Sequence, residues 1–359
     1  MNIQTEPIGS IPRPVELQLG MQAHAAGQLD DRGLQLLQDA ALVDTIRRFE
    51  ATGSPVISDG EQTKPSFATY PIHGSQQLAP GGVVIPFADG HTRQLPLLTG
   101  GPFRYQVHAG AYVSRAKQLT ALPVKQAVIS ASALSLLYPA QGIIGYSREQ
   151  FIQDLVNEAE ADIRSSLNGG AYCVQIDFTE ARLSLKLDPS GGLLQAFIDL
   201  NNEVLSRFSE EERKKIGVHS CPGGDHDSTH SADIAYAGLL AKLFALKAGN
   251  FYLEYAGEKD KIAVLESIRQ HLRPDQRVFL GVTNVLDPRI ETPEEIRDSI
   301  LEAVEIIPVS QLGTTDDCGF SPFADDTSTA RDIAFAKIGA RVSGTRLAES
   351  VLSRTTIYV

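Results

Sequence analysis

PVKQAVIS (123–130), SREQFIQDLVNEAEADIRSSLNGG (147–170) and AYCVQID (171–177) read in succession as strand, helix and strand, and this unit decides the fold. The outer runs are apolar with few charges, as strands covered on both faces must be. In the middle run Phe151, Ile152, Leu155, Val156 and Ala159 recur at helical spacing. Ser147 with Gln150 forms a capping box at its start, and Gly169-Gly170 is a stop at its end. Outward from here the alternation continues. SPVISDGE (54–61) precedes the unit, and KIGVHSC (215–221), NFYLEYAG (250–257), RVFLGVTN (277–284) and EIIPVSQLG (305–313) follow it as strands. Helices are expected within THSADIAYAGLLAKLFALKAGN (229–250) and TPEEIRDSILEAVEII (292–307), the second with Pro293 in its first turn. EPIGS (6–10) is the candidate eighth strand. The Gly- and Pro-broken run 81–110 reads as an inserted hairpin, with a ninth strand as the alternative.

Strict alternation of strands and helices predicts the α/β class with a parallel sheet. The economical closure is a single (β/α)8 TIM-type barrel with a hairpin inserted around 81–110, residues 1–359 forming one domain. A doubly wound open sheet is the rival, but no G-x-G-x-x-G follows a strand and no Walker loop exists.

Composition narrows the function classes. Acidic residues number 44 against 32 basic ones, a net charge of −12, which repels phosphate backbones and anionic lipid. Nucleic-acid binding is therefore not expected. Three cysteines cannot build a disulfide framework and point to a reducing compartment. MNIQTEPIGS lacks a basic n-region and an apolar h-region. The apolar stretch from Ala127 to Ile144 is interrupted by Ser130, Ser132, Ser135, Pro139 and Gln141, which disfavours a membrane span. A soluble, cytoplasmic protein is the expectation.

In a parallel barrel the chemistry gathers where strands meet the loops that follow. Asp59, Glu61, Asp177, His219, Cys221, Glu254, Asn284, Asp316 and Cys318 stand at those points. In His219-Ser220-Cys221 the two potential ligands share a face of extended chain. With Glu254 and Cys318 they make one nitrogen, two thiolates and one carboxylate, a set of the kind that holds tetrahedral zinc. The plain alternative is a buried thiol at Cys221 and a satisfied core histidine at His219. Cys173, flanked by apolar neighbours in its strand, reads as core.

These residues, in this order, resemble the cobalamin-independent methionine synthase family. The likeness includes Ile8-Gly9-Ser10, Asp59-Gly60-Glu61, Val174-Gln175-Ile176-Asp177, His219-Ser220-Cys221, Glu254, Asp287-Pro288-Arg289-Ile290 and Asp317-Cys318-Gly319, and runs from residue 5 to about 340. The resemblance implies zinc at His219, Cys221, Glu254 and Cys318, and homocysteine as methyl acceptor. It also implies that Ile8, Ser10 and Glu61 hold the amino-acid portion of that acceptor, with Asp177 on its ammonium.

Departures fall on the methyl-donor side. Full-length members are about twice as long; the chain has no tryptophan, and Leu137 and Leu286 stand where the family's stacking tryptophan and proton-donating histidine are expected. Tyr138 is a candidate substitute for the first, and His226 or His230 for the second. His226 and His230 are four apart, on one helical face or in a solvated helix start. The donor is thus either a methyl-corrinoid protein or methyl-tetrahydrofolate, with the corrinoid expected because cobalt leaves without a proton. Arg13 is a candidate clamp for an anionic substrate end. Two alternatives stay open: alkyl transfer to another small thiol such as coenzyme M, and a non-catalytic zinc barrel or decarboxylase-like relative.

Overall fold

The computed structural model describes residues 2–355. Seven parallel strands form one sheet: β1 (Gln4–Thr5), β2 (Gln126–Ile129), β3 (Val174–Asp177), β4 (Ile216–Ser220), β5 (Asn250–Leu253), β6 (Arg277–Gly281) and β7 (Leu312–Thr315). Around the sheet the order is β1, β7, β6, β5, β4, β3, β2. The eighth position is held by one parallel bridge, Ile57 to Val124, beside β2. Helices surround the strands in a TIM-type barrel. Their apolar faces close on the sheet; Phe151, Leu155, Val156 and Ile163 of the helix Arg148–Asn168 are all buried.

Local chemistry sets the boundaries. The capping box of Ser147 and Gln150 is formed, and Thr292 with Glu295 makes a second one at the helix Pro293–Val304. The first strand lies earlier than EPIGS. Glu6 N–H still donates to Thr314 O at 3.0 Å, but Pro7 has no N–H to continue the ladder. EIIPVSQLG is also shifted: Pro308 opens a 3-10 turn at Val309–Gln311, and the strand is Leu312–Thr315. The expected helix over 229–250 shrinks to Tyr236–Leu243. Ahead of it Gly224–Asp225 pairs antiparallel with Ser228–Thr229. His226 and Asp227, at φ 48° and 55°, form its two-residue turn. His226 and His230 therefore do not share a helix face.

The insertion is a hairpin, not a barrel strand. Leu78–Ala79 pairs with Leu97–Leu98, and Val84–Pro86 with Thr92–Gln94, both antiparallel. At the closure Arg341, from the last helix, donates to Thr5 Oγ1 at 2.8 Å and Glu6 O at 2.7 Å, and pairs with Asp316 at 3.0 Å. No helix among the described residues is long and apolar enough to cross a membrane.

Candidate active site

Parallel register brings the strand ends level. Asp177 stands opposite His219 across β3 and β4, and Ser220 opposite Leu253 across β4 and β5. A cavity of about 460 Å³ opens at this end, and its wall includes Ile8, Ser10, Glu61, Asp177, His219 and Cys318. Residues that the sequence separates by some three hundred positions thus meet in one chamber.

His219, Cys221 and Cys318 are buried, with ligand atoms within 4.8 Å of one another. The two sulfurs are 3.1 Å apart as free thiols. His219 Nδ1 donates to the Tyr252 carbonyl at 3.1 Å. A carbonyl can only accept, so the proton is on Nδ1 and Nε2 keeps its lone pair. Nε2 is buried and has no hydrogen-bond partner among the described residues. This tautomer, fixed by a backbone carbonyl, is the arrangement a metal-ligating histidine requires. Contact with Cys221 holds the Cys318 thiol well below its ordinary value, and the same contact, with burial, pushes Cys221 well above it. Two thiols and an imidazole with a free lone pair are a soft donor set that fits zinc.

Glu254 is buried but lies outside that trio. Its Oε2 accepts from Arg182 at 2.8 Å, and Arg182 also reaches Glu258 at 2.6 Å. Burial, then Asp317, pushes the Glu254 carboxyl well above its ordinary range. Asp317 ties the neighbouring loops together, accepting from the N–H groups of Tyr255, Ala256 and Gly257 at 2.7–2.9 Å. Gly319 lets the Cys318 loop approach the first strand's loop, since a Cβ there would lie 2.3 Å from Ser10 Oγ.

On the opposite wall Glu61 sits in a turn at φ 56°, a left-handed conformation uncommon for such a residue. It does not begin a helix. Its Oε1 accepts from Lys64 Nζ at 3.0 Å. Burial, then the Glu61 charge, pushes Asp177 up to about 7. Two buried carboxylates lining one cavity are the environment an entering ammonium would relieve.

Arg13 is not a substrate clamp. It is buried, and its guanidinium donates to the carbonyls of Ser321, Phe323, Glu61 and Lys64 at 2.7–3.3 Å, tying the Glu61 loop to the segment after Cys318. Tyr138 packs into the core instead of the cavity, stacked on Phe151 at 5.3 Å with its OH donating to Tyr146 O. His230 lines the cavity, but burial pushes it down to about 4, so it is neutral at pH 7. His226 sits beside Asp225 and Asp326 in a second acidic cluster. Arg93 Nη2 lies 3.2 Å from its Nε2 and fills that cluster with positive charge.

Some contributions escaped the sequence reading. The inserted hairpin roofs the cavity with Ile85, Phe87 and Arg93. Arg93 bonds both oxygens of Asp225 and of Asp325. Nothing in the hairpin's sequence says which loops it meets. Lys64 was open to discovery, since Glu61 and Lys64 are i, i+3 neighbours.

Residues 3–334 match the family model described as cobalamin-independent synthase, catalytic domain. A methionine synthase of Saccharolobus solfataricus is 21% identical over 357 residues, covering 98% of this chain and 96% of the relative. A 5-methyltetrahydropteroyltriglutamate–homocysteine methyltransferase of Nitratidesulfovibrio vulgaris is 23% identical over 322 residues, 88% of this chain but 38% of the relative's length. Among solved structures, a B12-independent methionine synthase from Shewanella sp. W3-18-1 in complex with selenomethionine superposes with a TM-score of 0.75 at 18% identity, over 99% of this chain and 100% of that one.

Proposed function

The chain belongs to the family of cobalamin-independent synthase catalytic domains, and on that premise we propose that it is a methyltransferase that moves a methyl group to the thiol of homocysteine, forming methionine. The single observation that carries the proposal is the buried trio of His219, Cys221 and Cys318, with a partnerless His219 Nε2, opening on the chamber that holds Glu61 and Asp177. Zinc is the proposed cofactor, held by those three residues, with Glu254 as the family's fourth ligand. When bound, it would keep the acceptor's sulfur deprotonated at neutral pH, where a free thiol is mostly protonated.

The remaining work belongs to the chain's own groups. Asp177 and Glu61 receive the acceptor's ammonium, and Ile8 and Ser10 line the place of its amino-acid portion. Ser10 Oγ accepts from Ser321 N–H at 3.1 Å, which fixes that wall against the Cys318 loop. The apolar side of the chamber, with Phe67, Ile129 and Leu136, excludes water from the sulfur. The donor is proposed as either an N-methyl pterin or a methyl corrinoid. One catalytic domain over 1–359 and a reducing, cytoplasmic location, which would keep Cys221 and Cys318 as thiols, are part of the same reading. An ammonium-binding carboxylate pair favours homocysteine over coenzyme M, whose sulfonate it would repel. Labelled methionine formed by the zinc-loaded chain is the test.

A further inference from the structure

Among the described residues of the cavity wall, two side chains carry a buried polar atom without a partner: His219 Nε2 and Glu180 Oε2. The first belongs to the metal trio. The second has no place in the acceptor pocket, where Asp177 accepts from Gln175 and Glu61 from Lys64. Glu180 opens the helix Glu180–Leu187, three residues after Asp177, and is buried. Its Oε1 accepts from Ser130 Oγ at 2.6 Å and from Ser132 Oγ in a shorter contact. Asn201 donates to Ser132 Oγ at 2.7 Å and so turns that hydroxyl's proton toward Glu180. With Oε1 satisfied twice as an acceptor, a proton on the carboxyl belongs on Oε2. Ile129, Ala133, Leu136 and Leu183 line the same cavity as apolar groups, together with the polar Thr179 and Asp177.

We propose that Glu180 is the general acid of methyl transfer, giving its Oε2 proton to the leaving nitrogen of an N-methyl amine donor. This rests on the methyltransferase reading above. A lone pair of the acceptor sulfur forms the new S–CH3 bond, and the N–CH3 bond breaks with its pair on nitrogen. The Glu180 proton goes to that nitrogen, which would otherwise leave as an amide-like anion. The carboxylate left behind keeps its two serine hydroxyls and regains a proton from water after product leaves. Burial pushes Glu180 up to about 7, against the serine hydroxyls, which favour the ionised form; Asp177 is the charged neighbour acting on it. An acid near the working pH is half available at neutrality, and its rate contribution falls as pH rises through that value. Leu286 cannot donate a proton, and neutral His230 is a poor donor; Glu180 supplies the function.

The test is methyl transfer to homocysteine by the zinc-loaded chain, from methyl-tetrahydrofolate and, separately, from methylcobalamin, whose cobalt leaves without a proton. Glu180→Gln keeps the size and can still bond the serines. It should lower kcat with the N-methyl donor at least about 100-fold and abolish the loss of rate above neutral pH. Zinc content, homocysteine affinity and any methylcobalamin rate should be unchanged. Ser132→Ala, which leaves Glu180 in place, should move the alkaline limb upward by about one pH unit, because the carboxylate loses a donor. Folate turnover by Glu180→Gln within about threefold of the parent, or an alkaline limb unmoved in Ser132→Ala, would overturn the assignment. Wild-type turnover with methylcobalamin alone would overturn it too, while leaving the methyltransferase reading intact. No transfer from either donor would overturn both.

Discussion

His219 spends its Nδ1 proton on the Tyr252 carbonyl and leaves Nε2 buried beside two sulfurs. A buried lone pair without a donor is costly, and a cation is the natural remedy. Replacing both thiols, in Cys221→Ser, Cys318→Ser, should reduce bound zinc from about one per chain to near zero by elemental analysis, since serine oxygen holds the ion far less well than thiolate. Full occupancy in that variant would remove the site. The acceptor side is separable. At pH 8, above the value to which burial and Glu61 push Asp177, Asp177→Asn should weaken homocysteine binding by about 1.5–3 kcal/mol, the worth of a charge-assisted hydrogen bond, with zinc content unchanged; calorimetry on the zinc-loaded chain measures both. Much at this scale was legible. Two cysteines just past strands, one of them two residues from a histidine, announced themselves because such residues are scarce in the chain. Arg13 misled for the opposite reason, since an arginine looks the same in sequence whether it grips a ligand or four backbone carbonyls. Glu180 and its serines, fifty residues apart, left no local signal at all.

Elements were readable where a local rule governs them. The helix Arg148–Asn168 begins at its capping box because Ser147 and Gln150 satisfy each other's orphan N–H groups whatever the tertiary context. Misreadings came where a proline or a positive φ overrides hydropathy. Pro7 and Pro308 moved strand limits, and the His226-Asp227 turn replaced a helix start with a hairpin. The inserted hairpin was legible as an insertion but not as a roof, because its anchor is tertiary. Arg93 reaches carboxylates of two separate loops, and buried Asp225 depends on it and on His91, whose Nε2 is 3.1 Å away. Arg93→Ala should therefore loosen the roof without touching the barrel. Amides of 84–94 should exchange at least about tenfold faster, while those of β3 and β4 stay protected. Equal protection of the hairpin in parent and variant would mean that its backbone bonds, such as Ala88 N to Thr229 O at 3.0 Å, suffice to hold it.

Over the whole molecule, parallel register does what no local feature can. It stacks the carboxyl ends of β3, β4 and β7 at one mouth, so that Asp177, His219 and Cys318 face one cavity. That convergence followed from the alternation of strands and helices, which is why a barrel and a site at its strand ends could be read together. The proposed donor half could not, because an apolar wall, an inserted roof and one buried acid have no sequence signature. Metal-dependent transfer of a methyl group to homocysteine is the activity proposed for the whole chain. The most direct measurement supplies homocysteine with methyl-labelled tetrahydrofolate and methylcobalamin in turn, and follows labelled methionine by mass spectrometry for the zinc-loaded, chelator-stripped and zinc-restored protein. Labelled methionine is expected from the loaded protein, with its loss on stripping and its return with zinc; no labelled methionine from either donor, or equal amounts with and without the metal, would contradict metal-dependent methyl transfer.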